Sequence, residues 1–86
     1  MITVVIPTLT ARAPRAQQTV DAYQRHSRDV PGGIWLRVET DVPTCGEAWA
    51  MGAEDFQGDY LHFGADDLEP HAGWWRPLVE ACDAGM

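Results

Sequence analysis

The sequence predicts an α/β fold, a small three-layer, Rossmann-like β-α-β-α-β-α unit with a short parallel sheet. Three apolar segments of strand length alternate with three segments of helical character, and this alternation is typical of parallel sheets with right-handed crossovers. The first segment is the most apolar, so we expect it at the centre of the sheet, in the strand order 2-1-3. The 86 residues suffice for one domain, residues 1–86.

The first strand is predicted over residues 2–6, a continuous β-branched run of the kind that is buried on both faces of a parallel sheet. Pro7 closes this strand, and residues 8–10 form the loop that follows. Pro14 suits the first turn of a helix, where its missing N–H has no cost, and we expect this helix to reach about residue 28. The residues predicted on its packed side are Ala16, Val20 and Tyr23.

A Val-Pro-Gly-Gly break at residues 30–33 separates this helix from a second strand, residues 34–39. The alternation of apolar and polar residues in this strand places it near a sheet edge. Thr44 and Glu47 fit a capping box at the start of the second helix, which is predicted to end near Asp55. Four residues at helical spacing predict its apolar face: Cys45, Trp49, Ala53 and Phe56.

The third strand is predicted over residues 60–63, and two acids, Asp66 and Asp67, follow it closely. A last helix is predicted from Trp74 to about residue 84, with Gly85 as its C-terminal cap. One stripe of this helix carries Trp74, Leu78 and Cys82. His62 lies inside the third strand, and we expect it to be a hydrogen-bonded core or interface histidine rather than a ligand.

The net charge of −7 disfavours nucleic acid and anionic membranes as partners, because both require basic patches. No apolar run approaches the ~20 residues that span a bilayer, and no basic segment precedes the N-terminal apolar run. We therefore expect a cytoplasmic protein with no membrane span and no nucleic-acid partner.

We interpret Cys45 and Cys82 as reduced core residues, because two widely separated cysteines make no zinc pattern.

Asp66 and Asp67 are the strongest functional signal in the sequence. In the order 2-1-3, the loops that leave strands 1 and 3 diverge and form a crevice, where open α/β folds bind ligands. Residues 8–10 and the two acids should face each other across this crevice. Neighbouring carboxylates repel unless one is protonated or a cation lies between them, and a divalent ion shared with phosphate oxygens meets that requirement. The alternative is that both acids belong to a solvated surface turn.

On these residues the chain resembles the nucleotide-sugar-binding half of a family 2 glycosyltransferase with the GT-A fold. Residues 4–8, Val-Val-Ile-Pro-Thr, resemble the opening strand of that family, and residues 46–53 resemble the small-residue helix before its acidic motif. Residues 58–67, Gly-Asp-Tyr-Leu-His-Phe-Gly-Ala-Asp-Asp, resemble the segment that carries the motif itself. Glu39, or alternatively Asp41, occupies the position of the acid that ends the second strand of the family.

The resemblance implies a glycosyltransferase-like protein that binds a nucleotide-diphosphate sugar, a UDP- or GDP-sugar, and transfers the sugar to an unknown acceptor. The residues implied to contact the nucleotide sugar are Pro7, Thr8, Leu9, Glu39 and Asp66. Pro7, Thr8 and Leu9 would line the base pocket, Glu39 would accept a hydrogen bond from the base, and Asp66 would reach the ribose. In a DXD-like motif, Asp67 would hold Mn²⁺ or Mg²⁺ on the diphosphate.

Two functions from different classes follow. In the first, the chain is a metal-dependent glycosyltransferase, and the acceptor half with its general base comes from a second copy or another chain. In the second, it is a degenerate GT-A-like binding or structural module without turnover. A third interpretation is a packing domain whose acids are surface charge only. Because a three-stranded sheet has two open edges, we expect a homo-oligomer or a partner chain that covers them.

Overall fold

The chain folds into a three-stranded parallel sheet with helices on both faces, and the predicted α/β fold class is confirmed. A computed structural model describes residues 1–54 and 58–85. The elements in chain order are β1 (Ile2–Thr8), a 3₁₀ helix (Thr10–Arg12), α1 (Ala13–Arg25), β2 (Ile34–Thr40), α2 (Cys45–Glu54), β3 (Tyr60–Phe63) and α3 (Trp75–Asp83). The sheet has the predicted order β2-β1-β3, and both strand pairs are parallel.

Strand β1 is the centre of both the sheet and the core. Ile2 pairs with Ile34 of β2 on one side and with Tyr60 of β3 on the other. Four apolar side chains of β1 are at most 1% exposed: Ile2, Val4, Val5 and Ile6. A strand buried on both faces requires a continuous apolar sequence rather than an alternating one. The apolar run of β1 therefore indicated a central strand in the sequence.

Helices α1 and α3 cover the face of the sheet on which Ile2, Val4 and Ile6 lie. Tyr23 from α1 joins these residues in the buried cluster, and Trp74 packs against the cluster from the start of α3. The Tyr23 and Trp74 rings meet edge to face, with centroids 5.1 Å apart, a favourable arrangement for two aromatic side chains. Tyr23 therefore contacts both the residues of β1 in the core and the Trp74 ring at the start of α3.

His62 of β3 belongs to this packed face. Its Nε2 atom is hydrogen-bonded to the Tyr23 hydroxyl at 3.0 Å, and its ring lies 4.9 Å from the Trp74 ring. Burial lowers the pKa of His62 and raises the pKa of Tyr23, because a low-dielectric surrounding disfavours the charged form of each group. Both side chains are thus neutral near pH 7, and His62 has the role of a hydrogen-bonded core residue.

Helix α2 covers the opposite face through two small residues. Ala48 and Gly52 are the buried residues of this helix. A Cβ atom on Gly52 would lie 2.5 Å from both methyl carbons of Val5, well inside van der Waals contact. The helix therefore approaches β1 closely, and only a residue without a side chain fits at that point.

The apolar face predicted for α2 is wrong in part. Trp49 and Ala53 are partly buried, but Cys45 is exposed, and Phe56 lies outside the described residues. Because the contact line consists of small residues, the larger apolar side chains are displaced to its flanks.

Cys82 of α3 is also exposed, and both cysteines are free thiols, so the interpretation of the two cysteines as core residues is wrong.

The helix ends follow local sequence signals. The Thr44 hydroxyl accepts a hydrogen bond from the Glu47 backbone N–H at 3.1 Å, as in a capping box. Gly85 has a φ of +81°, and its N–H donates to the Cys82 carbonyl, which is the C-terminal arrangement that glycine favours. Helix α1 ends at Arg25, earlier than predicted, because residues 27–33 form successive turns. Within residues 1–54 and 58–85, no helix has the length and apolar character needed to cross a bilayer.

The Gly52–Val5 contact predicts an unusual effect of alanine. Gly52→Ala should lower the free energy of unfolding by about 1–2 kcal/mol, because overpacking against Val5 outweighs the better helix propensity of alanine. Urea denaturation measures this change. Gly46→Ala in the same helix is the control: the nearest atom to its added Cβ is 4.0 Å away, so stability should stay constant or rise by up to ~1 kcal/mol. Equal effects of the two substitutions would contradict the close packing of α2 on β1.

Candidate functional site

The candidate site lies where β1 and β3 separate at their carboxyl ends. The Gly64 N–H donates to the Val5 carbonyl at 2.8 Å, and the next bond of a parallel ladder would run from the N–H of residue 7 to the Gly64 carbonyl. Pro7 has no N–H, and the Gly64 carbonyl instead accepts a hydrogen bond from the Trp49 indole at 3.1 Å. The two strands therefore stop pairing at Pro7, and the segments that follow them border a crevice.

Thr8 and Asp66 meet across this crevice. The Thr8 hydroxyl donates to Asp66 Oδ2 at 2.8 Å, and the whole Asp66 residue is only 9% exposed. The Asp66 backbone carbonyl accepts a second hydrogen bond, at 2.7 Å, from the hydroxyl of Thr19 in α1. The opening loop, the acidic segment and α1 are thus joined at one residue, and two of the predicted site residues are in direct contact.

Arg12 supplies the cation that the paired acids require. Its Nε atom lies 2.8 Å from Asp66 Oδ2, and its Nη2 atom donates to Asp66 Oδ1 at 2.9 Å. This two-point contact between a guanidinium and a carboxylate is among the stronger polar contacts in proteins. Arg12 therefore relieves the charge repulsion between the two acids by neutralising Asp66. Only Asp67 remains as a carboxylate that a metal ion could neutralise.

Asp67 is exposed and is held through its backbone rather than its carboxylate. Arg15 donates to the Asp67 carbonyl oxygen at 3.2 Å and forms an ion pair with Glu69 at 3.6 Å. Among the described residues, none pairs with the Asp67 carboxylate, and no three His, Cys, Asp or Glu side chains gather at a metal-binding distance. A metal ion at Asp67 would therefore need ligand oxygens and water to complete its coordination.

A cavity of about 260 Å³ lies in the crevice. Its walls come from the end of β1, the 3₁₀ helix, the segment after β2 and the acidic segment. The lining residues are Pro7, Thr8, Leu9, Arg12, Val42, Pro43, Cys45 and Asp66. Four of the predicted site residues are among them, and most of the remaining wall is apolar.

Glu39 is not among the residues that line this cavity. Its carboxylate accepts a hydrogen bond from Arg37 Nη2 at 2.8 Å, and both side chains are partly buried. Arg37 also lies over the Trp35 ring, so the three alternate residues of β2 form one row on the α2 side of the sheet. The structure places Glu39 within this row of side chains.

Asp41 contacts the opening loop. Its carboxylate accepts hydrogen bonds from the backbone N–H and the hydroxyl of Thr10, and the same two bonds, the hydroxyl first, lower the pKa of Asp41. Asp41 adopts a φ of +59°, a left-handed conformation that is uncommon for residues other than glycine. The acid after β2 that contacts the opening loop is therefore Asp41, the alternative that the sequence offered to Glu39, although Asp41 does not itself line the cavity.

A larger cavity, of about 360 Å³, lies between α1 and the segment after the acids. The residues that line it are Gln18, Asp21, Ala22, Arg25, His26, Glu69, Pro70 and His71. No strand residue and no predicted site residue contributes to it. We favour the smaller cavity as the functional site because it lies at the carboxyl ends of the strands, where ligands bind in open α/β folds.

Three residues of the site region were missed from the sequence: Arg12, Arg15 and Thr19. Their spacings of three and four place them on one side of the start of α1. They also include two of the six basic residues in a chain of net charge −7. Two arginines close together in an acidic chain indicate carboxylate partners, and this signal was present without the structure.

Comparisons of this chain with protein-family models, with curated proteins and with solved structures find no match to it.

The two neighbouring acids should differ sharply in their effect on stability. Asp66→Asn should lower the free energy of unfolding by about 1–3 kcal/mol, because it removes the charge that Arg12 and Thr8 contact in a mostly buried place. Asp67→Asn serves as the matched control and should change stability by less than about 0.5 kcal/mol, because its side chain is exposed. Urea denaturation of both variants measures the difference. Equal destabilisation by the two would contradict the structural role of Asp66.

Proposed function

We propose that this domain binds a nucleotide-diphosphate sugar in the crevice between β1 and β3, with a divalent ion at Asp67. The observation that carries the proposal is the Thr8–Asp66 hydrogen bond of 2.8 Å, which joins the opening loop to the acidic segment beside a cavity. The family 2 glycosyltransferase resemblance assigns nucleotide binding to the same two segments. Their contact supports that assignment, because a shared site requires them to be adjacent.

The cavity suits the base and part of the nucleoside. Pro7, Leu9, Val42 and Pro43 give it apolar walls, which favour the faces of a nucleobase, while Thr8 and Asp66 add polar groups that fix orientation. Its volume of about 260 Å³ is slightly below the ~300–1,000 Å³ typical of sites that enclose a whole ligand. The diphosphate and the sugar would therefore extend from the cavity past Asp67 toward solvent.

Asp67 fits a divalent ion that is shared with the diphosphate. Mg²⁺ and similar hard ions are usually held by one or two carboxylates together with substrate phosphates and water, and Mn²⁺ also accepts oxygen ligands. A bound ion would stabilise the negative charge that develops on the leaving diphosphate. The residues of the chain itself bind the nucleotide and orient it, and we assign no catalytic base.

A non-catalytic binding or structural module is the second candidate. The observation in its favour is that both oxygens of the Asp66 carboxylate already accept hydrogen bonds within the chain, from Thr8 and Arg12. An acid in this state stabilises the fold and is not required to contact a ligand. The two candidates differ in turnover, because only an enzyme would hydrolyse or transfer the sugar.

We also propose that a second copy pairs with the open edge of β2. The edge strand exposes Val38, which is 42% accessible, and its outer side pairs with no strand of the described chain. In an antiparallel pair centred on Val38, Arg37 of one copy would lie opposite Glu39 of the other. Opposite charges facing across strands stabilise such pairs, and pairing removes the aggregation hazard of an open edge.

Calorimetric titration with UDP- and GDP-sugars, with and without Mn²⁺, tests the nucleotide proposal. We expect binding to one of these donors, stronger with Mn²⁺, and at least about tenfold weaker in Asp67→Asn, which corresponds to ~1.4 kcal/mol. Glu69→Gln is the control, because it removes an equal charge two residues away. Hydrolysis of the bound donor would favour an enzyme, and metal-dependent binding without turnover would favour the module. Absence of binding to every donor would refute the proposal.

Light scattering during gel filtration tests the edge pairing. The unmodified chain should elute as a dimer, and Val38→Lys should shift it to a monomer, because two like charges would face each other at the centre of the pair. Leu68→Lys is the control, since Leu68 is a comparably exposed apolar residue away from β2, and this variant should remain dimeric. A monomeric parent chain at high concentration would exclude the pairing.

A further inference from the structure

Arg12 is fixed in place but retains unused hydrogen-bond donors. A guanidinium has five N–H donors, and Asp66 engages one on Nε and one on Nη2. Among the described residues, no other acceptor contacts Arg12. Its side chain remains 47% exposed and lines the cavity, so the donors that Asp66 does not use are accessible to a ligand.

Arg12 is also the single basic residue among those that line the cavity. The lining otherwise contains one acid, Asp66, whose two oxygens already accept hydrogen bonds from Arg12 and Thr8. An incoming anion would therefore meet N–H donors rather than an uncovered carboxylate. The chain has a net charge of −7, so most of its surface repels anions. The cavity wall at Arg12 is better suited to bind one.

We propose that Arg12 binds a phosphate group of the ligand directly and without a metal ion, and that Asp66 acts as a positioning residue for Arg12. This inference rests on the proposed nucleotide site and names the group that recognises its phosphate. It also changes the role of Asp66, which the resemblance assigned to the ribose. The divalent ion at Asp67 then adds to a phosphate contact that exists without it.

The geometry of the Arg12–Asp66 pair favours phosphate. Asp66 occupies the edge of the guanidinium formed by Nε and Nη2. The remaining edge, formed by Nη1 and Nη2, also presents two parallel N–H groups that match two oxygens of a phosphate. A side chain already held by a carboxylate loses less conformational freedom when a ligand binds than a free arginine would, and such preorganisation raises affinity.

Titration in EDTA separates this contact from the metal. The probes are UDP and GDP, the nucleosides uridine and guanosine, and inorganic phosphate. We expect one diphosphate to bind the unmodified chain at least about tenfold more tightly than its own nucleoside. Arg12→Gln should abolish this difference while nucleoside binding persists, which also shows that the cavity remains folded. Arg28→Gln is the control, because it removes an equal charge from an exposed residue that lines neither cavity, and this variant should retain the preference for the diphosphate.

A diphosphate that binds in EDTA no more tightly than its nucleoside, or equal losses in Arg12→Gln and Arg28→Gln, would overturn the role of Arg12. The proposed function would survive that result if binding with Mn²⁺ still depended on Asp67. Inorganic phosphate that binds as tightly as the diphosphate, and is lost in Arg12→Gln, would retain Arg12 as a phosphate contact but assign the site to free phosphate. If no probe bound with or without metal, both proposals would fall.

Discussion

The contacts made by Asp66 hold together the end of the molecule where the site lies. Its carboxylate accepts hydrogen bonds from Thr8 at the end of β1 and from Arg12 in the 3₁₀ helix, while its backbone carbonyl accepts one from Thr19 in α1. These partners lie 47 to 58 residues away along the chain. Asp66 therefore connects three separate segments of a domain that, at this size, buries little more than ~60% of its extended surface.

Pro7 explains why side chains such as Asp66, rather than backbone hydrogen bonds, connect the ends of β1 and β3. Without a donor at this position, β1 and β3 cannot continue their ladder, and the strands separate one residue beyond the Gly64–Val5 bond. The separation creates the cavity but removes backbone pairing from the strand ends. Side chains replace that pairing, with Trp49 bonded to the Gly64 carbonyl and Asp66 bonded across the gap. The site is therefore built from the polar contacts that compensate for an interrupted sheet.

The sequence predicted the features that depend on local pattern. The β-branched run of β1 indicated a central buried strand, and Thr44 and Gly85 indicated helix ends, because each signal acts within a few residues. The packing of α2 was not predictable in this way, since the closeness of Gly52 to Val5 is set by how two distant segments meet. For the same reason the sequence did not show which carboxylate pairs with Arg12, because Arg12 and Asp66 are 54 positions apart. The sequence also did not show whether Asp41 or Glu39 contacts the opening loop, because this contact again joins two distant segments.

We propose that a nucleoside diphosphate and a divalent ion occupy the crevice bordered by Thr8 and Asp67. Paramagnetic broadening of backbone amide resonances by substoichiometric Mn²⁺ in the presence of UDP or GDP measures this most directly, because the effect falls steeply with distance from the ion. The account predicts that the resonances of Thr8, Leu9 and Asp67 broaden first and that this requires the nucleotide. Broadening centred on Asp21, His26 and His71, which line the larger cavity, would contradict it.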